Sequence, residues 1–186
     1  MVKFPVRFSE TPASIDRLAP RLGEHTEQVG GEMKTIGIGF YWDDLSVGFQ
    51  FKTLNRTITE PDIVGFIGVT GMVETLFTDL SFEGHGAMHG RVAPAALSYT
   101  IIEGLLCQHS MQTTGLALLE VEKKVLKPVF AGDTIHAEVE VTAVRPTSKG
   151  GRGIVTTQNN IVNQKGECAI TYKAVRMMAG RASAQE

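Results

Sequence analysis

Cysteine is scarce: the 186 residues hold two, Cys107 and Cys168, far apart and outside any C-x-x-C pair. That excludes a disulfide framework and a zinc ribbon, and predicts two buried free thiols in a reducing compartment. Charge of one sign is lacking too. With 18 Lys and Arg against 20 Asp and Glu, the net charge is −2. No basic field exists to draw nucleic acid or an anionic membrane as a partner. Long apolar runs are missing as well: the longest, Val92–Cys107, is interrupted by Glu103 and is too short to cross a bilayer. Met1–Leu22 mixes charged residues and prolines with apolar ones and has no signal-peptide h-region. The chain therefore reads as cytoplasmic. Present instead are 42% hydrophobic and 20% charged residues, the balance of an ordinary globular domain. At this length one core can bury most of its apolar surface.

Residues 1–35 carry Pro5, Pro12, Pro20 and the pair Gly30-Gly31 with no sustained apolar period, and so read as an extended arm. Phe49–Ile58 alternates and is rich in β-formers, which predicts a strand. Thr59 with Asp62 three residues on forms a capping box, Pro61 is tolerated in the first turn, and Ile63, Val64, Phe66 and Ile67 supply one apolar side. That helix closes at Gly68 and Gly71. Pro94 then opens a second helix, Ala95–Gln108, apolar on nearly every side and so expected to be surrounded by protein. Three β-type segments follow: Gly115–Pro128, Asp133–Arg145, and Gly153–Ala169 continuing to Met177. Turn sequences at Gly132-Asp133, Gly150-Gly151 and Gln164-Lys165-Gly166 punctuate them. Ile135, Ala137, Val139, Val141 and Ala143 alternate with His136, Glu138, Glu140 and Thr142, giving one dry face and one wet. A small-residue tail, 179–186, ends the chain. One long buried helix wrapped by an antiparallel sheet is an α+β hot-dog fold. Its open sheet edge predicts a homodimer or higher homo-oligomer.

Two resemblances add to this. Thr57–Phe66 followed by Thr70-Gly71, then Gly90-Arg91-Val92-Ala93 opening the core helix, resembles the MaoC-like hot-dog family, which includes the (R)-specific enoyl-CoA hydratases and related dehydratases. Phe130-Ala131-Gly132-Asp133-Thr134 and Asn163-Gln164-Lys165-Gly166-Glu167 match it too, so the resemblance covers about residues 36–178. The first 29 residues, through Phe8–Ser14 and Ala19–Val29, resemble the C-terminal tail of class III CoA-transferases. That leaves two readings of the arm: a fusion remnant, or a recorded start upstream of a true start at Met33.

The first resemblance implies where chemistry would sit. The family's hydratases place an Asp directly after the Ser/Thr-Gly, an Asn two residues later, and a His five residues after the Asp. Asp and His share one water as base and acid on an α,β-unsaturated thioester. Here those positions read Met72, Glu74 and Phe77, and neither a thioether nor a phenyl ring can move a proton. Glu74 is left as the candidate catalytic residue, a lone carboxylate whose pKa desolvation would raise. Its plain alternative is a solvated loop residue or helix-end partner. Thr70, Gly71, Met72 and Phe77 would line the substrate, with Thr70 and Thr78 as possible hydroxyl donors. Where the family has His-Gly, this chain has Pro94-Ala95; proline supplies no N–H to polarise a thioester carbonyl, but Ala95 still can. His89 and Arg91 would lie at the pocket mouth, with Arg91, Lys149 and Arg152 able to meet phosphates of a CoA. His85 and His89 have Glu83 nearby but no third well-spaced ligand, so no metal site is expected, and no cofactor apart from CoA as part of the substrate. The function implied is an acyl-CoA hydratase or dehydratase with a replaced dyad. The alternatives are a non-catalytic acyl-CoA-binding subunit and an acyl-CoA thioesterase.

Overall fold

A computed structural model describes residues 35–83, 88, 90–148 and 150–181. The compact unit is Ile36–Glu186; the expected arm, apart from Thr35, lies outside the described residues, as do His85, His89 and Lys149. The capping box forms as the sequence dictates. Asp62 accepts from the Thr59 N–H at 2.7 Å, and the Thr59 hydroxyl accepts from the Asp62 N–H at 3.4 Å. Helix α1, Glu60–Thr70, starts there with Pro61 in its first turn and stops at Gly71, whose φ of 70° is left-handed. Gly68 lies inside it. Burial alone would raise the Asp62 pKa, but bonds from the Thr59 hydroxyl and N–H, together with Arg56, outweigh it and hold the carboxyl below its usual range.

The strand expected over Phe49–Ile58 is two pieces, β1 (Gln50–Lys52) and β2 (Arg56–Thr57). Between them the buried Thr53 completes the ladder with its side chain: its hydroxyl accepts from Ala137 N–H at 2.9 Å while its own N–H donates to the Ala137 carbonyl. After the one-turn helix α2 (Thr75–Thr78) come β3 (Val92–Ala93) and the long helix α3 (Ala95–His109). The remaining strands are β4 (Gly115–Val125), β5 (Val129–Phe130), β6 (Thr134–Pro146), β7 (Arg152–Asn163) and β8 (Cys168–Ala179). The last expected segment is thus two strands around the Gln164-Lys165-Gly166 turn. The main sheet runs β1-β6-β7-β8-β4 with β2 also on β6, every pair antiparallel; β3 and β5 make a separate ribbon. Two of the quoted motifs prove to be turn builders that dock together. Asp133 accepts from Phe130 N–H and from Gln164 Nε2, while Asn163 Oδ1 accepts from the N–H groups of Lys165 and Glu167.

Ile58, Ile63, Leu97, Ile102, Ile135 and Ile170, all buried, carry the core between α1, α3 and the sheet. The dry face of β6 ends early: a bulge between Val141 and Ala143 turns Ala143 outward and packs Val144 against a second cluster around Val155 and Met178. Helix α3 is less enclosed than its apolar sequence suggests, because Leu97, Ser98, Ile102 and Leu106 are buried whereas Ile101 and Leu105 are only half-buried. All eleven residues of the edge strand β4 are exposed. Neither cysteine is buried, contrary to expectation: Cys107 is exposed and Cys168 half-buried. Among the described residues no helix is long and apolar enough to cross a membrane.

The first and last described segments of the domain meet at a 3-10 turn, Trp42–Asp44. A Cβ placed on Gly153 would stand 2.3 Å from Trp42 Cγ, and one on Gly180 2.7 Å from Trp42 Nε1, so only glycines admit the indole. Arg181, inside the expected tail, is fixed there by Asp44 at 2.6 Å and stacks 5.1 Å from the Tyr41 ring centroid.

Candidate active site

Helix α1 contacts α3, and α2 lies against β3, the strand that runs through Pro94 into α3. This topology brings the segment after α1 and the start of α3 to one corner of the fold. Within it Thr70 donates back to the Phe66 carbonyl at 2.6 Å, so its hydroxyl hydrogen is spent on the helix end. Gly71 is the left-handed cap, its N–H donating to the Ile67 carbonyl at 2.9 Å. The chain then folds tightly, Val73 N–H to the Gly71 carbonyl and Glu74 N–H to that of Met72. Met72 is exposed, whereas Phe77 packs half-buried against the core.

Glu74 is the N-cap of α2. Its Oε2 accepts from Leu76 N–H at 2.8 Å, and its backbone carbonyl accepts from the Phe77 N–H and the Thr78 hydroxyl. The residue is exposed, so the apolar enclosure expected around a lone acid/base carboxylate is not provided by the surrounding described chain. Its Oε1 bonds to no described residue and is free to hold water.

Pro94 is fully buried and its carbonyl accepts from Leu97 and Ser98, but no described residue accepts the N–H of Ala95. That donor points out of the positive end of a 15-residue helix, where partial negative charge on an oxygen is favoured. Arg91 is committed within the protein. Its Nε lies 2.8 Å from Glu60 Oε1 as an ion pair, although the N–H is not aligned for a hydrogen bond, and it joins β3 to the first turn of α1. A phosphate would have to compete with Glu60. Arg152 is exposed at the start of β7.

The sequence reading missed a polar cluster beneath the sheet. Glu103 on α3 accepts from Arg176 and Tyr172, Arg176 reaches Thr157, and the fully buried Asn159 donates to the Thr157 and Tyr172 carbonyls. Burial first, then the Glu103 charge and hydrogen bond, push the Tyr172 pKa far above its ordinary value, and burial with the Glu103 charge raises that of Tyr99. The available signal was Glu103 itself, the only charge inside an otherwise apolar helix; a bare sequence does not show that its partners are seventy residues on.

The profile of the FAS1-like dehydratase domain region matches residues 46–172. The (R)-specific enoyl-CoA hydratase of Aeromonas caviae is 30% identical over 131 residues, 70% of this chain and 93% of that protein. The mesaconyl-CoA hydratase of Cereibacter sphaeroides is 41% identical over 51 residues, 27% of this chain, which spans only 15% of that longer protein. The crystal structure of a MaoC-like dehydratase from Rhodospirillum rubrum superposes with a TM-score of 0.69 at 25% identity, covering 77% of this chain and 99% of that one.

Proposed function

Because this chain belongs to the MaoC-like family of hot-dog hydratases and dehydratases, we propose that it binds an acyl-CoA thioester at the corner between α1 and α3. The thioester carbonyl accepts from the Ala95 N–H, and any hydration of an enoyl-CoA or dehydration of a 3-hydroxyacyl-CoA runs through Glu74. The observation that carries this reading is the unclaimed Ala95 N–H at the start of α3. An oxyanion donor placed there stabilises the enolate-like charge that both directions of the reaction develop. Glu74 Oε1 holds the water, with Oε2 anchored on Leu76 N–H to fix the carboxylate. In hydration the water oxygen bonds to C3 as Glu74 takes its proton, and that proton returns to C2.

One observation favours a second reading, binding without turnover: Glu74 is exposed and spends one oxygen on a cap. The two separate in one experiment. Crotonyl-CoA and 3-hydroxybutyryl-CoA are offered to wild type and Glu74→Gln, with turnover read at the enoyl-thioester absorbance and binding by calorimetry. Turnover lost in Glu74→Gln supports the first reading. Equal binding with no turnover in either protein supports the second, and no affinity for either ligand removes both.

A second copy is the proposed partner across β4. Leu116, Leu118 and Leu119 are about half exposed there, and Glu120 and Glu122 precede Lys123 and Lys124, so an antiparallel copy meets opposite charges. Sedimentation checks this: Leu119→Lys should shift a dimer toward monomer, and a wild-type monomer at tens of micromolar would rule the pairing out.

A further inference from the structure

Arg91 ties β3, the strand that leads into Ala95, to Glu60 in the first turn of α1. The contact is close but poorly directed: Nε lies 2.8 Å from Oε1, and its N–H is not aligned for a hydrogen bond. An arginine kept only to hold two elements together gains most from a parallel, two-bonded fork on its carboxylate. The partners are also unequally held. The Arg91 side chain is 14% exposed, its stem enclosed by the protein, whereas that of Glu60 is 49% exposed. Glu60 keeps a favourable place without Arg91, because the start of α1 itself attracts a carboxylate. The neighbouring Arg56 has no such freedom. It bonds Asp62 at 2.8 Å, and Asp62 completes the capping box that starts α1.

Exchanging Glu60 for another carboxylate would gain Arg91 nothing. A displacing group must bring more charge and more acceptor oxygens, which a diphosphate does, in a shape that matches the guanidinium fork. Spacing fits the diphosphate of a CoA ester. Helix α1 has 11 residues, about 16 Å at 1.5 Å per residue, with Glu60 at its start and Glu74 shortly past its end. A pantetheine arm drawn out nearly straight spans a similar distance between thioester and diphosphate.

Resting on the reading of an acyl-CoA bound at this corner, we propose that Glu60 and Arg91 form a latch opened by the CoA diphosphate. Arg91 leaves Glu60 for the diphosphate, and Glu60 stays with the first turn of α1. Glu60 is thereby a specificity-determining residue: it keeps Arg91 closed to single carboxylates and yields to a CoA ester. A thioester without the diphosphate leaves the latch shut and gains nothing from Arg91.

The test measures binding of free CoA, crotonyl-CoA and crotonyl-pantetheine by calorimetry to wild type, Glu60→Gln and Arg91→Gln. With no carboxylate to displace, Glu60→Gln should bind both CoA ligands about fivefold tighter, the factor for the upper end of a part-exposed ion pair. Its affinity for crotonyl-pantetheine should not change. In the Arg91→Gln background the same substitution should give no such gain. In wild type the Arg91 Nε–H resonance should shift when free CoA is added. An unmoved Nε–H, equal or weaker CoA binding in Glu60→Gln, or an equal gain for crotonyl-pantetheine would each overturn the latch. Glu60 is half exposed, so Glu60→Gln decides the matter even where Arg91→Gln does not fold. The phosphate-free thioester tests the Ala95 site and free CoA tests the latch, so each can fail without the other.

Discussion

Alanine at Gly153 should unfasten the Trp42 turn. Its Cβ would lie 2.3 Å from Trp42 Cγ and Cδ2, so the indole must retreat by more than an ångström to reach an ordinary contact. Overpacking of this kind costs about 1–3 kcal/mol. Complete expulsion of the ring is bounded by its buried area, roughly 4–6 kcal/mol for a fully buried tryptophan. Trp42 is only half-buried, which puts the expected loss near 2–3 kcal/mol. For a domain of this size that is a fall in Tm of about 5–10 °C. The decisive measurement is a double-mutant cycle in urea with Gly153→Ala, Trp42→Ala and both together. Without the indole, alanine at 153 has space, and in a strand it outdoes glycine by about 0.5–1 kcal/mol. The second substitution should therefore be neutral or mildly stabilising in the Trp42→Ala background, giving a coupling of about 2–4 kcal/mol. Equal cost in both backgrounds would refute the steric argument and shift the effect to the backbone of β7.

Asp62, whose folded pKa lies below its unfolded one, contributes stability that is complete above about pH 4 and lost as pH falls through the folded value. Asp62→Asn should cost about 1 kcal/mol at pH 7 and little at pH 2.5, read as urea midpoints at the two pH values. Tyr172 is shifted the other way: the folded state holds its proton more tightly, so stability declines as pH rises beyond about 10. Tyr172→Phe should flatten that alkaline decline in thermal melts between pH 9 and 11, with Tyr99 leaving a smaller residual slope. Arg176→Met strands the Glu103 carboxylate and should cost about 3–5 kcal/mol, while adding Glu103→Leu should restore a large part of it. If the double variant is no more stable than Arg176→Met alone, the stranded charge is not the cause.

Local rules made much of the fold readable. The Thr59–Asp62 box, the Gly71 stop, the Pro94 start of α3 and the turn residues of the β6–β7–β8 meander act within a few residues of themselves. What pattern reading misplaced depended on distant partners. Thr53 breaks β1 from β2 because Ala137 is there to bond its hydroxyl, and Ala143 turns outward because β7 imposes a bulge. The exposure of Cys107 follows from how little of α3 the sheet wraps. At the candidate site the residue types were legible and their engagements only in part. The helix-end alternative for Glu74 describes its capping of Leu76 N–H, whereas nothing in the string says that Arg91 would meet Glu60. His89, expected at the pocket mouth, lies outside the described residues.

The order of strands in the sheet has a kinetic side. Strands β6, β7 and β8 are consecutive in the chain and joined by tight turns, so their pairing closes only short loops. Both flanking positions are filled from far away, β1 by the beginning of the domain and β4 by the segment after α3. In a domain of such mixed contact order the meander is the natural early structure, with its two edges zipping on afterwards. Pulse-labelled hydrogen exchange during refolding should then protect the amides of Val155–Ile161 before those of Phe51 and Glu122, which face β6 and β8, and simultaneous protection would show that the sheet condenses as one unit.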